Sequence, residues 1–398
     1  MPTVTAEPAA STLKIIDADT HYTEPHDLWT SRAPASLKDR VPQVKKINGE
    51  NAWVIDRDKL IGFAANPASV IMKDGSKIRS MESFLVTQFE SVHPSSYDVR
   101  ARVAMMDQEG VFAQVAYPNI MGFGGGRASD IDPELRLATI RMYNDAMAEA
   151  QAESGGRFFP MCIIPWWDLK AALAEVERAA GIGLRGIAMG SDPQEQKDRE
   201  GNVLPDLGLP HWDALWEIAQ SLDLSINFHV GANDSSLLWI GDVGWPSLSA
   251  DLKAAISQPA LSMHNGRVIG NIICSGLLDR YPWLKFVSVE SGLGWIPFML
   301  ESLEYQLDEI ACNYKPQLRP LEYFRRNFYG CFWFEHKNLA HTARYLGIDN
   351  CLFQTDYPHP TCFYPMGDVE ARLPDFTAEE RAKLLSLNAA RVYNIPLA

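Results

Sequence analysis

The feature that most constrains the fold is the alternation of short apolar runs, rich in β-branched and aromatic residues, with longer amphipathic stretches. Such alternation is typical of a parallel β-sheet covered by helices. The eight candidate strands are Leu13–Asp19, Val111–Tyr117, Phe158–Ile164, Leu184–Met189, Leu224–Val230, Leu284–Glu290, Phe328–Phe334 and Asn350–Asp356. The candidate helices are Pro133–Glu153, Leu169–Ala180, Pro210–Leu222, Val268–Tyr281, Ile296–Asn313 and Thr377–Tyr393. Eight repeats within 398 residues predict one α/β domain, a (β/α)₈ TIM barrel that spans residues 1–398.

Two stretches are too long for the simple repeat. They cover about residues 30–97, after the first strand, and residues 232–258, after the fifth. Connections of this length within a compact domain are usually lids, pocket walls or oligomer contacts. We expect the first insertion to form a lid or an oligomer contact and the second to form a wall of the substrate pocket, although either could be decoration without a function.

The first strand ends in acidic residues and a histidine. Asp19 and His21 are two positions apart, so a strand would direct both side chains to the same face, where they could share one cation. Alone, an Asp-x-His pair is weak evidence, because both residue types also occur in turns and helix caps. The interpretation therefore depends on what the other strands contribute.

Two further strands end in residues that can bind a metal. His229 stands at the carboxyl end of the fifth strand, and Asp356 ends the eighth, where packing alone would not select a charged residue. Active sites of barrels form at the carboxyl ends of the strands. The predicted ligands of one divalent cation are therefore Asp19, His21, His229 and Asp356.

Several short motifs accompany these residues in a definite order. They are Asp19-Thr-His21 with Glu24-Pro25, the run Arg102–Gly110, Leu184-Arg-Gly186, the run Ser275–Phe286, and Thr355-Asp-Tyr-Pro-His-Pro360. In this order, and over nearly its whole length, the chain resembles the amidohydrolase superfamily, specifically the branch related to aminocarboxymuconate-semialdehyde decarboxylase. The resemblance implies a metal-dependent enzyme in which the same four residues bind the cation.

One position departs from the pattern of that branch. Relatives often end the sixth strand in a histidine that helps to move protons, whereas this chain has Glu290. Glu290 could be a further metal ligand, a carboxylate paired with an arginine, or a general acid and base, which a raised pKa in a partly dry pocket would favour. We count Glu290, Asp356 and His264 as the candidate catalytic residues.

Three other residues are candidates for substrate binding. Arg267, with His264, stands at the predicted start of the helix after the fifth strand and could bind a substrate carboxylate through two hydrogen bonds. His359 follows Asp356 on the rim loop, and Trp295 is one of 11 tryptophans that would suit an aromatic substrate. The alternatives are a solvated helix start for Arg267, a structural turn for His359 and the core for Trp295.

The ligand types and the resemblance together indicate the chemistry. Two histidines with two or three carboxylates would suit Zn²⁺, Mn²⁺ or Fe²⁺. The resemblance implies a non-oxidative decarboxylase of a small aromatic or unsaturated carboxylic acid. The main alternative is a hydrolase of a C–C, amide, ester or lactone bond that uses metal-activated water. A non-catalytic binding protein is less favoured, because the ligand set looks complete.

Composition excludes some partners. The net charge of −14 argues against nucleic-acid binding, which depends on clustered Lys and Arg, so we expect a small-molecule substrate. Residues 1–12 show no secretion signal and no later segment suggests a membrane span, so we expect a cytoplasmic protein without a membrane partner. The six cysteines lack CxxC spacing, and we expect no disulfides. We also expect a homodimer.

Overall fold

The structure is a computed structural model, and it describes residues 13–61, 66–123, 131–232, 246–310 and 316–397. Its strands are β1 (Ile15–His21), β2 (Gln43–Ile47), β3 (Glu50–Ile55), β4 (Lys59–Leu60), β5 (Val111–Tyr117), β6 (Phe158–Pro160), β7 (Cys162–Ile163), β8 (Gly186–Ala188), β9 (Ser225–His229), β10 (Lys285–Val289), β11 (Phe328–Phe332) and β12 (Cys351–Phe353). Its α-helices are α1 (Met81–Leu85), α2 (Val99–Glu109), α3 (Ile120–Phe123), α4 (Pro133–Glu153), α5 (Leu169–Gly181), α6 (Asp213–Ser221), α7 (Ala250–Met263), α8 (Gly266–Cys274), α9 (Leu277–Arg280), α10 (Ile296–Ile310), α11 (Pro320–Asn327), α12 (Leu339–Leu346), α13 (Ala378–Ala382) and α14 (Asn388–Val392). A π-helical turn, Lys383–Leu387, joins α13 to α14.

Parallel strands form a barrel, which confirms the predicted fold class. Hydrogen bonds join β1, β5 and β6 into one run and β7 to β12 into a second. Every strand pair within these two runs is parallel. β6 and β7 are two parts of one strand, interrupted at Met161, whose backbone N–H donates to the carbonyl of Ala116 at 2.8 Å. With β6 and β7 counted as one, the wall of the barrel has eight strands, and each of them was predicted from the sequence.

The barrel closes where the segment after β12 meets β1. The N–H of His21 donates to the carbonyl of Tyr357 at 2.7 Å, and the N–H of Asp356 donates to the carbonyl of Asp19 at 2.9 Å. These bonds join the first and last parts of the barrel wall and bring three of the predicted metal ligands to one place.

Asp17 reinforces this closure. Its fully buried carboxylate accepts hydrogen bonds from the N–H of Thr355 at 2.8 Å and from the hydroxyl of Thr355 at 2.6 Å. The side-chain amide of Gln114, on β5, donates to the same carboxylate at 3.1 Å. One carboxylate on β1 thus binds both neighbouring parts of the wall.

A β-bulge in β1 separates Asp17 from the metal-binding candidates. Asp17 lies opposite Gln114 and Thr20 lies opposite Ala116, so three steps along β1 match two steps along β5. A bulge re-aims the side chains that follow it. Asp17 consequently stays within the wall, whereas Asp19, two residues later, lies among the metal-binding candidates at the barrel mouth.

The two insertions contact each other. Between β1 and α2 the chain forms the antiparallel sheet β2-β3-β4 and the short helix α1. The carboxylate of Asp251, in the first turn of α7, accepts the backbone N–H groups of Met81 and Glu82 at 2.5 and 3.2 Å, so it caps the start of α1. Of the second insertion, residues 233–245 lie outside the described residues.

Some predicted boundaries were wrong. The first strand is Ile15–His21 rather than Leu13–Asp19, so His21 belongs to the strand itself. The predicted helix Val268–Tyr281 is two helices, α8 and α9, because Gly276 between them has a left-handed backbone with φ of 75°. A residue in this conformation cannot continue an α-helix.

The core has two parts. Small and branched side chains fill the barrel interior, including Ile16, Ala18, Val115, Val289 and Leu352. A larger apolar layer lies between the strands and the surrounding helices. Both faces of the strands are therefore covered, as is usual for parallel sheets.

Two other expectations concern the environment of the protein. Among the described helices, none combines the length and the apolar composition that a bilayer-spanning segment needs. The five described cysteines carry free thiols, whereas Cys312 lies outside the described part of the chain.

Candidate metal centre

The structure brings the four predicted ligands together at the carboxyl ends of the barrel strands. Asp19 and His21 come from β1, His229 ends β9, and Asp356 follows β12; all four are buried. The Nε2 atoms of His21 and His229 are 2.9 Å apart. Oδ1 of Asp19 lies 3.7 Å from Nε2 of His21 and 3.6 Å from Nε2 of His229. Oδ1 of Asp356 lies 3.6 Å from Nε2 of His21.

A cation would stabilise the carboxylates of this cluster. Among the described residues, none donates to a carboxylate oxygen of Asp19 or Asp356 with ordinary hydrogen-bond geometry, although His229 and Glu290 lie close enough to influence them. Burying an ionised carboxylate without compensation costs several kcal/mol. The ligand atoms of Asp19, His21 and His229 lie close together, and so do those of His21, Asp356 and His359. Imidazole nitrogens and carboxylates of this kind form a donor set that fits a divalent ion such as Zn²⁺, Mn²⁺ or Fe²⁺.

The electrostatics of the cluster agree with this interpretation. Burial, and then the charges of Glu290 and Asp19, hold the pKa of Asp356 well above its usual range. Burial lowers the pKa of His229, but attraction to the carboxylates of Asp19 and Glu290 outweighs it and raises the pKa overall. Several carboxylates are therefore crowded into a small dry volume, which a bound cation would stabilise.

Glu290 lies beside the four ligands. Its Oε2 is 3.5 Å from Nε2 of His229, and its Oε1 accepts a hydrogen bond from the side-chain amide of Gln258 at 3.2 Å. Burial raises the pKa of Glu290 to about 7, against the lowering effect of His229. Sequence reasoning missed Gln258, which lies on α7, the helix that also caps α1.

Two residues of the site have unusual backbones. Glu290 has φ of 52° and Asp356 has φ of 61°, the left-handed region that non-glycine residues rarely adopt. Each such residue costs on the order of 1 to 3 kcal/mol and tends to occur at functional sites. The conformation turns both carboxyl groups off their strands at the barrel mouth.

His359 contacts two of the ligands. Its ring stacks on that of His21, with centroids 3.5 Å apart and planes 12° apart, and its Nδ1 is 3.4 Å from Oδ1 of Asp356. Its Nε2 is 2.7 Å from the side-chain oxygen of Asn119. Because the amide nitrogen of Asn119 donates to the carbonyl of Tyr22 at 3.0 Å, its oxygen accepts and the Nε2 of His359 donates. The predicted substrate-binding residue thus also supports the metal-binding candidates.

Glu24 fixes the position of Asn119, the hydrogen-bond partner of His359. Its Oε1 accepts the backbone N–H groups of Asn119 and Ile120 at 2.8 and 3.1 Å. Burial raises the pKa of Glu24 to about 7. Neither Asn119 nor a role for Glu24 was predicted from the sequence, although a polar residue just after the second barrel strand is the signal that could have found Asn119.

A cavity opens beside His229. Its empty volume is about 920 Å³, part of which is open to solvent. Most of its wall is apolar or aromatic, with Tyr117, Met121, Ile163, Trp166, Trp167 and Met189. Arg136, on α4, also lines it, and its guanidinium carbon lies 3.4 Å from the ring centroid of Trp167.

Three other predicted residues lie elsewhere. His264 follows the last residue of α7 as its C-cap and is buried. Arg267 has a side chain that is 56% exposed, and it forms an ion pair with Asp192 at 3.1 Å. The indole N–H of Trp295 donates to the carbonyl of Ser291 at 2.7 Å. As far as the described residues go, none of the three lines the cavity beside His229.

Comparison with known proteins identifies the family. The sequence profile described as amidohydrolase matches residues 16–395, so the chain belongs to the amidohydrolase family. The predicted family resemblance is therefore confirmed.

Named relatives of this chain include two decarboxylases. The gamma-resorcylate decarboxylase of Polaromonas sp. (strain JS666 / ATCC BAA-500) is 25% identical over 269 residues, which cover 65% of this chain and 76% of that protein. The 2-amino-3-carboxymuconate-6-semialdehyde decarboxylase of Dictyostelium discoideum is 21% identical over 357 residues, which cover 87% of this chain and 86% of that protein.

Solved structures share the fold. An amidohydrolase from Mycobacterium avium subsp. paratuberculosis K-10 aligns with a TM-score of 0.76 and 21% identity, over 98% of this chain and 100% of that one. A dihydroxybenzoic acid decarboxylase from Polaromonas sp. JS666, with bound manganese and the inhibitor 2-nitroresorcinol, aligns with a TM-score of 0.61 and 19% identity, over 97% of this chain and 98% of that one. These likenesses support the barrel described above.

Proposed function

We propose that this chain is a metal-dependent non-oxidative decarboxylase of a small aromatic carboxylic acid. The observation that carries the proposal is a buried cluster of two overlapping trios that could hold a metal, Asp19 with His21 and His229, and His21 with Asp356 and His359, beside an aromatic cavity. The decarboxylase names of the relatives support the same reaction class.

In this proposal Asp19, His21, His229 and Asp356 hold one divalent cation. A cation held by these residues would supply Lewis acidity, which would help to bind the carboxylate of the substrate and to withdraw electron density from it. Mn²⁺ is the first ion to test, because the decarboxylase structure of Polaromonas sp. JS666 holds manganese. Zn²⁺ and Fe²⁺ suit the same ligand types.

Glu290 is proposed to carry the proton. The bond between the ring carbon and the carboxylate carbon breaks, CO₂ leaves, and the electron pair that remains on the ring carbon takes a proton. Asp356 belongs to the proposed ligand set, whereas Glu290 lies next to that set and accepts a hydrogen bond from Gln258. This hydrogen bond holds the carboxyl group of Glu290 beside His229, from where it would deliver the proton.

The cavity supplies the environment for an aromatic ring. Its apolar wall, with Ile163, Trp166 and Met189, would contact the ring and exclude water from the reacting carbon. Tyr117, in the same wall, stacks at an angle near His229, with ring centroids 5.3 Å apart. A substrate carboxylate directed toward His229 would therefore place its ring in this cavity.

The test is CO₂ release by protein that has been stripped of metal and reloaded with Mn²⁺. With 2,6-dihydroxybenzoate we expect equal amounts of CO₂ and resorcinol. Glu290→Gln should keep the metal and lose about 10²- to 10⁴-fold in rate, which is the usual contribution of general acid catalysis. Asp356→Asn should lose both metal and activity.

A different result would favour the hydrolase alternative. If the Mn²⁺-loaded protein released no CO₂ from a panel of hydroxybenzoic acids and instead incorporated ¹⁸O from water into the product of an ester or a lactone, the decarboxylase proposal would be wrong. Equal rates for Glu290→Gln and the unmodified chain would remove Glu290 as the proton carrier.

A further inference from the structure

Gln354 is a buried glutamine that the proposed reaction does not use. It follows β12, two residues before Asp356, and it is fully buried. Its backbone N–H donates to the carbonyl of Phe332 at 3.0 Å, so its main chain belongs to the barrel wall. Leu352, two residues earlier, lies in the barrel interior, and side chains two positions apart along a strand share a face. The amide of Gln354 therefore lies inside the barrel, at the end where the metal-binding candidates lie.

The side-chain oxygen of Gln354 binds the backbone of Glu290. The N–H of Glu290 donates to Oε1 of Gln354 at 3.1 Å. This bond reaches from the end of β12 to the end of β10, past β11, which lies between the two strands. It also fixes the orientation of the amide group, because the exchanged orientation would set two donors against each other. Gln354 thus links the segment that carries Asp356 to the residue proposed to carry the proton.

The backbone of Glu290 depends on such contacts. Its φ of 52° lies in the left-handed region, which is unfavourable for a residue other than glycine and persists only where the surrounding structure enforces it. Further along the same turn, Oε1 of Glu335 accepts the N–H groups of Leu293 and Gly294 at 2.6 and 2.8 Å. Two side chains from neighbouring segments therefore hold the turn, and Gln354 holds it at Glu290 itself.

The stability of the fold does not require a glutamine at this position. Among the described residues, none accepts a hydrogen bond from Nε2 of Gln354. A buried amide donor without a partner lowers stability by at least as much as the hydrogen bond at the amide oxygen raises it. A methionine is similar in length and has no N–H group to bury, so it would fill the same space without this cost. What the glutamine adds is a fixed backbone at Glu290.

We propose that Gln354 is a positioning residue, which places the carboxyl group of Glu290 beside His229 by holding the backbone N–H of Glu290. The proposal rests on the proposed function, because that function assigns proton delivery to Glu290. Oε2 of Glu290 lies 3.5 Å from Nε2 of His229, and a change of φ at Glu290 would move the whole side chain away from this position. Without the contact, the reaction should slow while the metal ligands keep their places.

The first experiment measures the contact itself and needs no turnover. Backbone amide exchange of Mn²⁺-loaded protein, resolved to single residues by fragmentation mass spectrometry, is compared between the unmodified chain and Gln354→Met. Exchange at Glu290 should become at least about tenfold faster in the variant, because its N–H loses its acceptor. Exchange at Leu293 and Gly294 should change less than about threefold, since Glu335 still accepts those N–H groups. Gln354→Glu retains an acceptor oxygen and should keep the slow exchange at Glu290.

The second experiment separates positioning from a purely structural role. Gln354→Met should retain the metal, lower kcat for CO₂ release about 10- to 100-fold with little change in KM, and shift Tm by less than about 2 °C. Asn388→Ala is the matched control, because it removes a buried amide whose Nδ2 donates to the carbonyls of Ile348 and Cys351 at the other end of β12. It should lower Tm by more than about 3 °C and leave kcat unchanged.

The possible results distinguish this proposal from the proposed function. Unchanged exchange at Glu290 in Gln354→Met would overturn the positioning role, and so would a loss of stability as large as that of Asn388→Ala. A Gln354→Met chain that does not fold counts as such a loss. Faster exchange at Glu290, without CO₂ release by the unmodified chain, would support the contact and overturn the decarboxylase proposal. Equally fast CO₂ release by Gln354→Met and the unmodified chain would do the reverse.

Discussion

The buried carboxyl group of Glu24 should make the stability of the protein depend on pH, and Glu24→Gln should remove that dependence. Glu24 is 2% exposed and accepts two backbone N–H groups from the loop after β5. Burial raises its pKa from 4.5 to about 7, so the folded protein holds a proton there that the unfolded chain releases. The folded state is therefore favoured by this group at low pH.

The size and sign of the effect follow from the two pKa values. Below about pH 4.5 both states are protonated and the stabilising contribution is complete. As the pH rises toward 7 the unfolded chain ionises first, and the contribution is lost once the folded pKa is passed. With about 1.4 kcal/mol for each pH unit, the contribution falls by about 2.5 kcal/mol between pH 5 and pH 8.

The assay is urea unfolding of metal-free protein at pH 5, 6, 7 and 8. Other ionisable groups titrate in both proteins, so the difference in the free energy of unfolding between the unmodified chain and Glu24→Gln isolates the contribution of Glu24. That difference should fall by about 2.5 kcal/mol as the pH rises. A difference that stays constant, or that grows with pH, would refute the reasoning.

Three further predictions concern the site and the closure of the barrel. Asp356→Asn should leave the fold intact and reduce the metal content after dialysis to well below one ion per chain, measured by mass spectrometry of the metal; full occupancy would exclude Asp356 as a ligand. Asn119→Ala removes a hydrogen-bond acceptor that orients the site, so the Kd for Mn²⁺ should rise about 10- to 100-fold in a chelator competition assay. An unchanged Kd would contradict that positioning role. Thr355→Val removes the hydroxyl that donates to Asp17 and should lower the free energy of unfolding by about 1.5 to 3 kcal/mol, whereas Thr355→Ser should cost less; equal effects of the two changes would argue against the hydrogen bond as the cause.

The ligands of the candidate metal centre were within reach of sequence reasoning because each interrupts an apolar strand at its carboxyl end. His229 and Asp356 stand where packing alone would not select them, and the barrel fold brings such ends to one rim. The alternation of side chains along a strand does not predict that Asp17 and Asp19 have different roles. In a regular strand these two aspartates share a face, and only the bulge in β1 gives them different partners.

The residues that support the ligands could not be predicted in the same way. Asn119, Gln258 and Glu24 act through hydrogen bonds that join distant segments, and no local pattern records such a contact. The burial of Arg136 could not be predicted either, because an arginine on a helix such as α4 is usually exposed to solvent. Its guanidinium lies over the ring of Trp167, which lies on another connection of the barrel.

The break between α8 and α9 shows a different limit. The apolar pattern continues through Ser275 and Gly276, so periodicity predicted one helix. Glycine within such a pattern is compatible with both a helix interior and a helix end. The left-handed backbone of Gly276 is decided by the packing of the two helices on the barrel.

The closure of the barrel has a consequence for how the protein matures. Asp17 and Thr355, which join the two ends of the wall, are 338 positions apart. Of the four proposed ligands, Asp19 and His21 lie next to Asp17, and Asp356 lies next to Thr355. A nascent chain therefore has no complete metal site until nearly all of it has been synthesised, and contacts between such distant positions form slowly. Metal that binds only the closed barrel would then stabilise the finished product by mass action. Uptake of the ion would report that folding is complete, and a chain that stops before Asp356 would be left without metal.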